Sequence, residues 1–69
     1  MKLRDFTEPE LDILREKCNF TEDELMYFNY RAKDRSNIEI SLKMNISTSQ
    51  VSKIAKRVSS KVSRVVFNN

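Results

Sequence analysis

The chain has 69 residues, no Gly, no His, one Pro and one Cys, and a net charge of +3. That length is one domain, burying only about 60% of the surface its unfolded chain exposes; the lack of Gly argues against hairpin-rich β folds, and no apolar run approaches the roughly 18 residues of a membrane span. The charge is divided: residues 1–30 carry four basic and eight acidic side chains (net −4), residues 31–69 nine basic and two acidic (net +7), and a pole this basic attracts a polyanion, usually nucleic acid.

Four helix starts are legible. A Ser or Thr followed three residues later by Glu or Gln satisfies two orphan amide donors at a helix N-terminus. The pattern occurs at Thr7/Glu10, Thr21/Glu24, Ser36/Glu39 and Ser47/Gln50. Three starts add an apolar staple, Phe6/Leu11, Phe20/Leu25 and Ile46/Val51. The spacing therefore predicts an all-α, four-helix domain filling residues 1–69, with helices over about 8–17, 22–33, 37–44 and 48–66.

In the first helix Pro9 is tolerated because its missing amide has no intrahelical partner in the first turn. Leu11, Leu14 and Cys18 form the expected buried stripe with Ile13 beside it. Cys18 reads as a buried structural thiol, and the acidic run Glu8, Glu10, Asp12 and Glu16 as a solvated face. The second helix is apolar nearly all round from Leu25 to Tyr30. It should be covered by the first helix on one side and by later helices on another. Tyr27, Phe28 and Tyr30 read as core rather than as base-stacking platforms. In the short third helix Ile38, Ile40 and Met44 are the expected inward residues. Along the fourth, at about 100° per residue, Val51, Ile54, Ala55, Val58, Val62, Val65 and Val66 share one side, with Ser49, Lys53, Lys56, Arg57, Ser60 and Arg64 opposite. Asn68 and Asn69 read as a loose tail.

Residues 37–56 read as helix, tight turn, helix. Ser41 is small where the two helices cross, and Asn45 stands where the turn needs a left-handed residue. Ile40, Met44, Ile46, Val51 and Ile54 form the apolar wedge, and Ser47 caps the second helix. The outer face, Thr48, Ser49, Ser52, Lys53 and Lys56, is small, polar and basic, suited to a DNA major groove.

The stretch Phe20-Thr21-Glu22-Asp23-Glu24, through Arg35-Ser36-Asn37-Ile38-Glu39-Ile40 to Ile46-Ser47 and Gln50-Val51-Ser52-Lys53, resembles the LuxR-type and sigma-factor region-four helix-turn-helix superfamily. Ser36-Asn37 with Glu39-Ile40 resembles the LuxR group, and Tyr30-Arg31 the sigma group. The resemblance covers about residues 20–62. It extends to short stand-alone proteins of this type in Gram-positive bacteria and their mobile elements. It implies a transcription-related DNA-binding role, with Ser49, Gln50, Lys53 and Lys56 facing DNA. Asp34 stands where LuxR-type domains usually have Gly and Asn45 where Gly is common, and both residue types accept left-handed backbone. Little length remains after Val66 for the closing dimerisation helix of LuxR-type domains.

The expected function is sequence-specific binding of double-stranded DNA. Ser49, Gln50 and Lys53 should contact bases, Gln pairing with adenine and Lys donating to guanine. Lys43, Thr48, Lys56 and Arg57 should hold phosphates beside the helix N-terminus. The scarcity of acidic residues after Glu39 extends the phosphate-contact reading to Lys61 and Arg64. The rival reading is a protein-interaction module of the same fold, docking on RNA polymerase or another regulator. One such module buries roughly 600–1,000 Å² on DNA, so two copies or a partner are expected. Val62, Val65, Val66 and Phe67 exceed what the helix-turn-helix can cover. Either the first helix folds back over them through Leu11 and Leu14, or two chains pair there as a homodimer.

No enzyme is expected. The chain lacks His, a lone Cys builds no metal site, and no Ser has a recognisable base. Without Gly no phosphate loop of the Gly-rich kind forms. No cofactor, metal, small-molecule ligand or membrane partner is anticipated. A single Cys and an N-terminus unlike a signal peptide fit a reducing compartment, the cytoplasm, with nucleoid association following from DNA binding.

Overall fold

The computed structural model describes residues 3–67, the side chain of Arg4 excepted. A 3-10 turn at Leu3–Asp5 precedes four α-helices: α1 (Glu8–Lys17), α2 (Glu22–Ala32), α3 (Asn37–Met44) and α4 (Thr48–Phe67). The four helices fall where the caps and periodicity put them, within one residue at each end. The Asn68–Asn69 tail lies outside the described residues.

The caps explain the agreement. At α1, α2 and α3 the capping box closes in both directions, with Thr7, Thr21 and Ser36 accepting from the third helical amide and Glu10, Glu24 and Glu39 reaching back. The stops are equally local. Asn19, Asp34 and Asn45 have φ of 54°, 62° and 57°. Each interhelical turn of this Gly-free chain thus holds its left-handed residue as Asn or Asp, the types that accept it most readily after Gly. After α2 the Arg35 amide donates to the Tyr30 carbonyl (3.1 Å) and the Asp34 amide to Arg31 (2.9 Å). After α3 the Ile46 amide reaches Ser41 (3.0 Å). These bonds satisfy carbonyls that a helix end leaves open.

Around α4 the rest of the chain assembles. Its 20 residues span ~30 Å at about 1.5 Å per residue, most of the 34 Å long axis. Val51, Ile54, Val58 and Val62 are buried along one stripe. They meet Leu11, Leu14 and Cys18 of α1, Tyr27 and Phe28 of α2 and Ile40 of α3 in a single core. Phe28 is fully buried, with the Phe20 ring 5.0 Å away between centroids. The Arg15 guanidinium lies 5.4 Å from the centre of the Phe28 ring, and its Nε donates to Asn29 Oδ1 at 2.8 Å. Those contacts tie α1 to α2.

Several sequence expectations are corrected. Ile38 is 66% exposed, whereas Ile40 is fully buried. Two residues apart on a helix is about 200°, so both cannot face the core. Ile13, two residues from buried Leu11, is exposed for the same reason. Leu25 and Met26 are only partly covered, because α2 packs mainly on α4 and on the 3-10 turn. The Phe20 ring packs at a tilt against Phe28, and its expected staple partner Leu25 lies partly in solvent. Leu3, which periodicity did not pick out, is 2% exposed and plugs the core. Of the two arrangements open for the end of α4, α1 does fold back: Leu14 and Val65 line a common groove, and Val62 is buried within its own chain. Val62 is therefore unavailable to a second copy. Val66 and Phe67 stay exposed.

The turn between α3 and α4 tests this account of local structure. Asn45→Val should lower the unfolding free energy by about 1–2 kcal/mol in urea titrations, the left-handed penalty of a side chain with no local compensation, while Asn45→Gly leaves it nearly unchanged. Equal losses from both would assign the effect to the Asn side chain instead of the backbone.

Candidate functional site

The helix-turn-helix is built from small, specific contacts. Ser41 is buried where α3 crosses α4, and its hydroxyl donates to the Ile38 carbonyl at 2.7 Å. A larger residue there would push the helices apart. Met44 and Ile46 are half-buried against the shared core. The wedge expected from Ile40, Met44, Ile46, Val51 and Ile54 is thus assembled.

At the start of α4 the cap differs from the other three. Ser47 Oγ accepts from the Gln50 amide at 3.2 Å, but no reciprocal bond from the Gln50 side chain forms among the described residues. Glu10, Glu24 and Glu39 are occupied with their own caps; the Gln50 amide group stays exposed and uncommitted.

The polar side of α4 faces solvent. Ser49, Gln50, Ser52, Lys53, Lys56, Arg57, Ser60 and Arg64 are all exposed, directly behind the buried stripe. Ser49, Lys53, Lys56 and Ser60 follow a four-three-four spacing that lines them along one ridge. Thr48 stands exposed in the first turn, and Lys43 at the end of α3. There is no acidic residue anywhere in α4. Among the described residues Lys43, Lys53 and Lys56 form no ion pair. The ridge offers hydroxyl, amide and ammonium donors with no carboxylate on the same helix to repel an anion.

Arg57 and Lys61 are the exceptions. Glu24, almost fully buried near the start of α2, pairs with both: Arg57 Nε lies 3.2 Å from Oε2, and Lys61 Nζ bonds Oε1. Oε1 also accepts from the Thr21 amide at 3.1 Å, and Lys61 donates to the Asn19 carbonyl at 3.4 Å. This corrects the expectation that Lys61 is free for phosphate. The acid scarcity after Glu39 is real along the chain but not in space, because α2 supplies the acid. Burial pushes the Glu24 carboxyl up; the Lys61 and Thr21 hydrogen bonds and the Lys61 and Arg57 charges outweigh it and hold it below the ordinary carboxylate value. Arg57 keeps more than half of its side chain in solvent. Sequence reading missed Glu24 because its capping box already explained it.

The remaining candidates fall on the structural side. Cys18 is buried, and burial raises its pKa despite the nearby Lys61 charge, so it stays a thiol at neutral pH. Tyr27 and Phe28 belong to the core and Tyr30 packs against it. Glu8, Glu10, Asp12 and Glu16 lie exposed on α1. No helix among the described residues is long and apolar enough to cross a membrane.

The Glu24 cluster carries a pH signature. With its folded pKa below the unfolded value of about 4.3, Glu24 contributes stability above that value and loses it as pH falls through the folded pKa. Glu24→Gln should cost about 1.5–3 kcal/mol at pH 7, the worth of a charge-assisted hydrogen bond, and should flatten the acid limb of a stability-versus-pH curve from denaturant melts. An unchanged acid limb would remove Glu24 from the ionic anchor.

No family model, no curated protein and no solved structure matches the chain.

Proposed function

We propose that the protein is a non-enzymatic, sequence-specific binder of double-stranded DNA, a small cytoplasmic transcriptional regulator of the LuxR-type and sigma region-four-like kind. The N-terminal half of α4 enters the major groove. One observation carries the reading: an exposed, acid-free ridge of Ser49, Gln50, Lys53 and Lys56 backed by a fully buried valine and isoleucine stripe. A helix held from behind in this way presents its polar face at fixed orientation, as direct readout of base edges requires. Ser49, Gln50 and Lys53 contact bases. Lys43, Thr48, Lys56 and the solvent-exposed part of Arg57 contact phosphates.

The affinity of one module is limited by its area. Two copies pairing through Val65, Val66 and Phe67 would add a second half-site. The rival, docking on polymerase or another regulator, has an observation of its own: Ile38 and Leu42 form an exposed apolar pair one turn apart on α3. Titration of a labelled duplex pool at low salt separates the two readings, because a pure docking module leaves the duplex free.

Substitutions divide the contacts by role. Lys53→Ala should weaken the preferred duplex by ~1–3 kcal/mol and relax its base preference. Lys56→Ala should weaken every duplex alike and lower the slope of log K against log salt by about 0.9. Identical behaviour of the two variants on matched and scrambled duplexes would show the roles to be wrongly assigned.

A further inference from the structure

An open groove of about 590 Å³ runs beside the ridge, lined by Tyr27 and Arg31 of α2, Ser36, Asn37 and Ile38 at the start of α3, and Lys56 of α4. Four features converge on it. The Asn37 and Ile38 amides are the first two of α3, donors for which a helix supplies no internal acceptor. Glu39, the nearest acid in sequence, is drawn back onto the Ser36 amide (3.4 Å) and Arg35 (3.5 Å), and it does not line the groove. Arg31 and Lys56 bring two cations, neither in an ion pair among the described residues, although one terminal nitrogen of Arg31 donates to the Arg35 carbonyl at 2.8 Å. The fourth feature is Tyr27. It is 6% exposed, yet its hydroxyl has no hydrogen-bond partner among the described residues. No fully enclosed polar side-chain atom among the described residues lacks a partner, so the hydroxyl is not wholly enclosed. The groove is the opening that Tyr27 lines. A nearly buried tyrosine with an unmet hydroxyl thus lines the same groove as two cations and a helix N-terminus, and these donors together exceed the acceptors the protein supplies there. Burial raises the Tyr27 pKa, which keeps the hydroxyl a donor at neutral pH.

We infer that this groove holds one backbone phosphodiester of the duplex, bonded by the Tyr27 hydroxyl, Arg31, Lys56 and the Asn37 and Ile38 amides. The inference rests on the DNA-binding reading and adds to it a fixed phosphate seat on α2 and α3. Because Lys56 belongs to both ridge and groove, a strand passing the ridge reaches the seat without a gap. A seat of this kind sets the register of the ridge against the bases without reading sequence.

The test uses the intact protein and two variants. Tyr27→Phe removes a hydroxyl with no partner among the described residues, so its thermal unfolding should match the parent. Its affinity for matched and scrambled duplexes should fall about tenfold, the loss of a hydrogen bond to a charged group. Arg31→Gln should lower the salt slope by about 0.9. If neither variant changes duplex affinity while Lys53→Ala does, the phosphate seat is overturned and the DNA reading stands. Failure of the parent to bind any duplex overturns both. Amide-resolved titration with inorganic phosphate alone separates the sources. Saturation at Asn37 and Ile38, in a protein whose duplex binding ignores both variants, would assign the groove to a free phosphate and reject the duplex.

Discussion

One helix with two chemically opposed sides organises the molecule. The buried stripe Val51, Ile54, Val58 and Val62 is the surface on which α1, α2 and α3 meet. Val and Ser are mediocre helix formers, so α4 owes its stability to that packing more than to propensity. The same contacts leave Ser49, Lys53 and Lys56 on the outer side. Core and ridge are therefore one feature. A change that loosens the valine stripe also blurs the orientation of the ridge.

Charge reinforces this arrangement. Glu24, from the acidic half of the chain, anchors Arg57 and Lys61 in the middle of α4. Carboxylates buried with several hydrogen bonds fix geometry more surely than they add stability. Here the partners fasten the middle of α4 to the start of α2. The basic residues nearer its N-terminus stay uncommitted. Four of the nine exposed acids, Glu8, Glu10, Asp12 and Glu16, sit on α1, and among the described residues no acid pairs with Lys53 or Lys56.

Much of this was legible in the sequence because the chain writes its helix ends in local chemistry. Thr7, Thr21, Ser36 and Ser47 mark the starts, and Asp34 and Asn45 the left-handed stops. Such signals act over a few residues and need no knowledge of the fold. What the sequence hid depends on tertiary placement. Leu3 is buried because a 3-10 turn lays it on α2, which no periodicity foretells over three residues. Ile38 looks like core by type and is exposed, because Ile40 takes the inward direction. Glu24 reads as a cap, and only the approach of α4 reveals its second task. Tyr27 reads as core from its helical spacing, and only the placement of α3 and α4 around the groove brings out its unmet hydroxyl.

The ridge is the claim on which the functional account turns. Amide chemical-shift mapping of the isotope-labelled protein, titrated with its selected duplex, examines it residue by residue. The account predicts the largest changes at Ser49, Gln50, Lys53 and Lys56, with α1 silent. Changes concentrated on α1 or on Ile38 and Leu42, with the outer side of α4 silent, would contradict it.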